Sequence, residues 1–519
     1  MPASSLPVAS RRFSRLTLLC RSAIAVVLLS IAMPPPCAHA ADQAVAFDRK
    51  AWQDDYAFLK RQLEGNFANL AWFASTQGGV DVPALDRRTR HALDVAGNDA
   101  DAKAALRAFV SGFHGHFSEV TYLAAAPAGE KPKEPAKPDY AKLDANAGCA
   151  ALGYAVTRST PFSLPFESLG GFSLEADGVT SPFRAGIATT ARGTRIGFVR
   201  IRFFRQHDDL SLCLRDWEAL RKSGKPIDVK TLQTNLDDEW FAALADRLRG
   251  FKGEGVAAVV VDVGGNGGGN DSGDWAARLF TDKPVHSARL MMTAAPETKG
   301  FFDAAVKDLK DDLNGSVKLS AADRAEATKA IAALEKRKAS IVTRQCDLSW
   351  VWREQRAWNP EGCSRLVDAG FASGFFAYLP PRAYANADVQ NDLYWPSRVD
   401  AHRGAWSGPV YVLTNDHTYS SAEMFASVMR DNAVAKIAGQ TTGGDGCGFM
   451  REMKPVELPH SRLRFRIPDC VRLRADGTDE IAGIRPDLPV LPTEGESERA
   501  RAQRLLDTID ADLHGMAAR

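Results

Sequence analysis

Apolar positions along this chain follow two periods, and the change between them outlines its organisation. From Phe47 to Trp72 they recur at helical spacing (Trp52, Tyr56, Leu59, Leu63, Phe67, Leu70). Ala100–Gly112 repeats that pattern and Ala84–Val95 does so more weakly, which predicts an N-terminal helical unit over residues 41–123. Residues 124–142 are rich in Ala, Pro, Lys and Glu and read as a solvated linker. A strand-like pattern with many turn residues follows over Ala151–Ala191, so 124–193 is expected to be a linker with a small strand-rich segment. Arg195–Phe204 alternates and predicts a strand. Asp237–Leu248 predicts an amphipathic helix. Val256–Val263 is an almost unbroken β-branched run, the mark of a strand buried on both faces, and Val410–Thr414 is a shorter run of the same kind. The strand–helix alternation predicts an α/β core over 194–495. A helical insertion over about 290–405 interrupts it. There Ser320-Ala321-Ala322-Asp323 resembles a capping box before a long helix ending near Val342. The aromatic stretch Trp350–Trp358 offers either a cleft cover or core packing, and packing is the expectation. A C-terminal helix is expected over 496–519.

The first forty residues stand outside this pattern. Arg11, Arg12 and Arg15 precede the apolar run Ala23–Met33, and Ala38-His39-Ala40 forms an A-x-A site. That is a cleavable export signal, and the run is too short to span a bilayer. The expected product starts at Ala41 and is periplasmic or secreted, with no membrane span. Six cysteines remain after cleavage, and in an oxidising compartment they favour disulfides. Sequence proximity suggests Cys346 with Cys363 and Cys447 with Cys470, leaving Cys149 with Cys213. A net charge of +1 gives no electrostatic footprint for nucleic acid.

Chemistry concentrates in three places. After Val410–Thr414 comes a polar turn, then Ser420 and Ser421 directly before a helical pattern. A serine at a helix N-terminus has unpaired backbone N–H groups and the positive end of the helix dipole beside it, which suits a nucleophile and an oxyanion. Ser420 as a simple N-cap is the alternative. Val256–Val263 runs into Gly264-Gly265-Asn266-Gly267-Gly268-Gly269, which offers either a backbone donor to an oxyanion or a plain tight turn. No Lys-Ser or Lys-Thr follows it, and Asn270 occupies the last glycine position of a dinucleotide fingerprint, so neither phosphate motif fits. His114 and His116 flank Gly115 without a third nearby ligand, and the chain has no H-E-x-x-H and no G-x-S-x-G. No metal or cofactor is expected.

Taken together, these stretches resemble the tail-specific, or C-terminal processing, serine peptidases, most of all their tricorn-core branch. Asp262–Gly269 is similar to the family's D-x-R-x-N-x-G-G turn, and Thr418–Glu423 to its T-x-S-x-A-E segment. Gly112–Ser118 is similar to L-x-D-x-H-T, and Glu480–Val490 to E-G-x-G-I-x-P-D-x-x-V. The resemblance implies a crotonase/ClpP-like α/β core and a peptide or protein substrate. It places the nucleophile at Ser420, the catalytic histidine at His116 and the accompanying acid at Glu480. The expected oxyanion donors are the N–H of Ser421 with that of Gly267 or Gly268. His417 is the rival base, while Asp431 and Asp487 are expected to be structural. The sequence departs from the pattern at Gly264, His114 and Ile481. The dyad lysine of Ser–Lys members is replaced in Gly444-Asp445-Gly446, and Glu119–Gly193 shows no recognisable PDZ module. Two classes therefore stand at this point: an exported serine peptidase, or a catalytically silent ligand- or peptide-binding protein on the same fold. The oligomeric state is not readable.

Overall fold

The two valine-rich runs lie side by side at the centre of one sheet. The computed structural model describes residues 46–517 except 121–137, 155–159, 180–181, 207–208, 225–226, 316–318, 342–346, 360–364 and 451–454. The seven strands of the main sheet are β1 (Phe172–Asp177), β2 (Arg184–Thr189), β3 (Arg195–Arg200), β4 (Ala258–Asp262), β5 (Val410–Thr414), β6 (Lys436–Gly439) and β7 (Leu488–Pro489). Their order is β7-β6-β5-β4-β3-β2-β1. From β3 to β7 neighbouring strands run parallel, with Val199 beside Val261, Val261 beside Val412 and Val412 beside Ile437. The β1–β2 and β2–β3 pairs are antiparallel.

Alternate residues of β4 point into two different cores, which is why its sequence reads as an unbroken run rather than an alternation. Val259 and Val261 pack with Phe241, Leu244 and Leu248 of helix Val229–Gly253 and with Phe425 of helix Ser421–Asp431. Ala258 and Val260 pack with Leu505, Leu506 and Ile509 of helix Glu498–Ala517. Each fully buried valine contributes roughly 1.5–3 kcal/mol. The helix expected over Asp237–Leu248 thus extends by just over two turns at its N-terminal side, where Asp228 caps it by accepting from the N–H of Thr231 at 2.8 Å.

The N-terminal helices Arg49–Asn66, Val82–Val95 and Asp99–Val110 enclose their own core around Leu59, Leu63, Phe73 and Phe109. The 350–358 stretch packs into that core through Val351 and Trp352, and the Trp352 indole donates to Glu64 at 2.5 Å. Within residues 290–405, Ser320 caps helix Ala321–Ser340, which packs beside helix Pro296–Asn314. Strand Arg289–Thr293 joins Leu366–Phe371 and Cys470–Leu473 in a three-stranded sheet. The insertion is thereby knitted to residues just ahead of Glu480. The segment set apart at 124–193 gives β1 and β2 to the main sheet, so a boundary at 193/194 falls inside the β2–β3 hairpin. Disulfides join Cys149 to Cys213 and Cys447 to Cys470, while Cys346, Cys363 and the export signal lie outside the described residues. Among the described residues no helix is long and apolar enough to cross a membrane.

Packing this many side chains leaves several carboxyl groups in low dielectric. Burial is the main cause that pushes Asp216, Asp392 and Asp479 up to about 7, and Asp237 and Asp271 up to about 6. A carboxyl whose folded pKa exceeds its unfolded one favours folding when protonated. That contribution is complete below about pH 4 and is lost as pH rises through 6–7. His402 has the opposite sign, since burial lowers its pKa. The thermal midpoint at pH 5.5 is therefore expected to exceed that at pH 8; calorimetry giving the reverse order would refute this balance.

Candidate active site

The glycine turn is anchored at both ends. The Asp262 carboxylate, at the end of β4, accepts from the N–H and Oγ of Ser163 at 2.6 and 2.7 Å and from the N–H of Gly264 at 3.0 Å. The Asn266 side chain accepts from the N–H of Gly268 at 2.8 Å and donates to the carbonyl of Ile201 at 2.9 Å. The Asn266 carbonyl accepts from the N–H of Tyr419 at 2.9 Å, which ties this turn to the segment carrying Ser420. Gly268 has φ +101°, and a Cβ there would lie 2.6 Å from the Ser420 Cβ and 3.0 Å from the Ser421 nitrogen. Glycine is required here because two backbones approach each other closely.

Ser420 is the N-cap of helix Ser421–Asp431 and has φ +53° and ψ −118°. Such a conformation is costly for a non-glycine residue and persists only where its surroundings enforce it. Here they do. The Ser420 N–H donates to Glu423 Oε2 at 3.2 Å, and its carbonyl accepts from Met424 at 3.0 Å and from Arg472 at 3.3 Å. The N–H of Ser421 is the first of the helix and has no intrahelical acceptor.

His116 reaches this place from the turn after helix Asp99–Val110. Its ring lies on Gly448, where a Cβ would sit 2.6 Å from the imidazole, and meets Phe449 edge to face at 5.6 Å. His116 Nε2 is 2.9 Å from Asp445 Oδ2, an ion-pair approach without the alignment of a hydrogen bond. His114 faces elsewhere: its Nδ1 is 2.7 Å from the Gly444 carbonyl and its ring packs on Phe73.

The turn bearing Asp445 is itself held by one carboxylate. Glu423, fully buried, accepts from Thr442 Oγ1 at 2.6 Å, from the N–H groups of Gly444, Asp445 and Gly446 at 2.7, 2.8 and 3.0 Å, and from Ser420. Burial pushes its pKa up to about 7, while these donors pull it back down. Five donors on two oxygens fit the ionised form. The Cys447–Cys470 disulfide ties the same turn to the strand that carries Arg472.

Glu480 does not meet His116 in this geometry. Both its oxygens are taken, Oε1 by Ser427 Oγ at 2.6 Å and Oε2 by Arg472 Nε at 2.5 Å. Arg472 in turn donates to the carbonyls of Ser420 and Gly446. Glu480 therefore steadies the site through an arginine. Gly268 likewise differs from the expected donor role, because its N–H already serves Asn266. His417 is mostly exposed and lies 2.8 Å from Asp416, and Lys436 pairs with Asp512. Asp431 binds Arg474, and Asp487 accepts from the N–H of Ile437.

Ser420, Ser421, His116, Gly269 and Arg472 line one cavity of about 410 Å³. A family model of peptidase family S41 matches residues 195–490, more than half of the chain. This chain belongs to that family. The S41 assignment makes it a serine-type peptidase acting on a peptide or protein. No curated protein matches it. Among solved structures, mature CPAF is similar, at 18% identity and a TM-score of 0.53 over 89% of this chain and 97% of that chain. Mature CPAF complexed with lactacystin is similar at 16% identity and a TM-score of 0.53 over 90% and 99% of the two chains. The photosystem II D1 C-terminal processing protease is similar at 12% identity and a TM-score of 0.32 over 88% and 99%. At these identities the CPAF likeness speaks for the fold.

Two residues of this candidate site escaped the sequence. Asp445 stood out as the replacement for a lysine, but nothing in the sequence linked it to His116. Glu423 was visible inside Thr418–Glu423, yet four of its five donors come from a turn about twenty residues away.

Proposed function

We propose that this S41 peptidase is exported and cleaves peptide bonds with Ser420 as nucleophile and His116 as general base. The observation that carries the reading is the meeting of these two distant residues in one cavity, with a carboxylate against the imidazole. Ser420 Oγ attacks the scissile carbonyl carbon while His116 removes its proton through the nitrogen that does not face Asp445. Asp445 stabilises the imidazolium that results, as the carboxylate of a serine triad does. Glu480 acts at one remove, through Arg472. The tetrahedral oxyanion is held by the N–H of Ser421 together with the glycine turn. Gly267 and Gly269 remain its candidate donors, and Gly269 lines the cavity. Collapse of the intermediate expels the amine, which takes the proton back from His116. Water then hydrolyses the acyl-enzyme by the same steps.

Two disulfides and the N-terminal basic-apolar signal support export. The replacement of lysine by Asp445, which on sequence grounds favoured a silent binding protein, becomes a working part of this arrangement. The test uses mature protein recovered from the periplasm or medium. Its N-terminal sequence is expected to begin at Ala41. It is expected to hydrolyse members of a mixed peptide library, and Ser420→Ala and His116→Ala are each expected to lower kcat by about 10,000-fold or more. Retention of Met1 would sink export, and native turnover by Ser420→Ala would sink the nucleophile.

A further inference from the structure

The cavity that holds Ser420 and His116 also holds a guanidinium with no carboxylate of its own. Arg466 lies on strand Arg464–Arg466 and pairs with Ser118, two residues beyond His116. Its guanidinium sits 3.6 Å from the centroid of the Phe449 ring, the same ring that meets His116 edge to face. The other arginine lining the cavity, Arg472, is already committed to Glu480 and to two carbonyls. Among the described residues Arg466 makes no ion pair; its contact is the aromatic face.

Stacking covers the flat face of a guanidinium and leaves the N–H groups at its edge free to bond in plane. The complementary ligand is a carboxylate, which takes such a fork with two parallel hydrogen bonds. Asp271 lines the same cavity and would repel an acid placed near it. The attractive point is thus fixed in position relative to Ser420.

We propose that Arg466 is a carboxylate-binding subsite, so that this peptidase favours peptides carrying an acidic side chain close to the scissile bond. The inference rests on the peptidase reading above, and the experiment separates the two. Cleavage sites are first read by mass spectrometry from a random peptide library. Matched C-terminally amidated peptides then carry Glu or Gln at each of three positions on either side of the bond, and one further pair differs only in having a free acid or an amide at the C-terminus. The mature native protein supplies kcat/KM for each, and the Ser420→Ala variant supplies Kd by fluorescence anisotropy.

At one position the Glu peptide is expected to win over its Gln partner by about 10- to 100-fold. Preference confined to the free-acid pair would overturn an acidic side chain as the ligand. Arg466→Gln is expected to bring that ratio close to 1, and Arg466→Lys to keep part of it. The ratio is internal to each preparation, so a smaller folded fraction cancels. Ser420-dependent cleavage with no carboxylate preference would overturn the subsite and leave the peptidase reading intact. Preferential binding by Ser420→Ala without cleavage by the native protein would uphold the subsite and overturn the chemistry. A ratio unchanged in Arg466→Gln, or no discrimination in either assay, would also overturn the subsite.

Discussion

Asp445→Asn is expected to lower kcat for peptide hydrolysis by about 100- to 10,000-fold while the protein stays folded. The side chains match in shape, and the backbone N–H of Asp445, the group that Glu423 binds, is untouched. What disappears is the negative charge 2.9 Å from His116 Nε2. Without it the imidazolium that forms as Ser420 attacks loses its stabilising partner, and an amide can hold the ring in the wrong tautomer. Glu480→Gln is expected to differ in kind. Glu480 is fully buried and balances Arg472, so the substitution leaves an uncompensated guanidinium in the interior. Breaking such a pair costs roughly 3–5 kcal/mol of stability. Steady-state kinetics and thermal unfolding of the two variants separate the roles. If Glu480→Gln lost activity at unchanged stability while Asp445→Asn kept the native kcat, Glu480 would be the histidine's partner after all.

Glu423→Gln is expected to damage stability and activity together. The native carboxylate receives five donors, from Ser420, Thr442 and three consecutive N–H groups of the Gly444–Gly446 turn. A glutamine must put an NH2 group where one oxygen stood, facing two or three donors with nothing to accept them. Each buried donor left unsatisfied costs about 1–3 kcal/mol, so a loss of roughly 3 kcal/mol or more is expected. The same turn carries Asp445 to His116, and the same carboxylate holds the Ser420 N–H. Its loosening should lower kcat by about 100-fold or more, since small displacements of catalytic groups cost that much. The checks are denaturant unfolding and kcat measured on the folded fraction. A variant with native stability and native kcat would show that the clamp is dispensable.

The parts of this molecule that were legible in its sequence are those set by local pattern. The continuous β-branched run of β4 could only be a strand covered on both faces, and it is. Ser420 stood between a strand pattern and a helix pattern, and it caps that helix. The nearest cysteines paired where they are described. The parts that were not legible depend on contacts between distant turns. Whether His116 faces Glu480 or Asp445 is decided by where Glu423 gathers the Gly444–Gly446 turn and by Arg472 taking Glu480 first. No periodicity encodes either. The strand Cys470–Leu473 pairs with Arg289–Thr293 across most of the insertion, so the attachment of that insertion beside the site was equally invisible. The β1–β2 strands looked like a separate segment because their turn-rich sequence resembles an edge. They are an edge, of the main sheet itself.

The proposed chemistry makes Ser420 a nucleophile activated by His116. The most direct measurement is labelling of the mature protein with a fluorophosphonate, followed by peptide mapping of the adduct by mass spectrometry. One adduct is expected, on Ser420, with none on Ser420→Ala and much slower labelling of His116→Ala. An adduct on another serine, or equal labelling of native protein and Ser420→Ala, would contradict this chemistry.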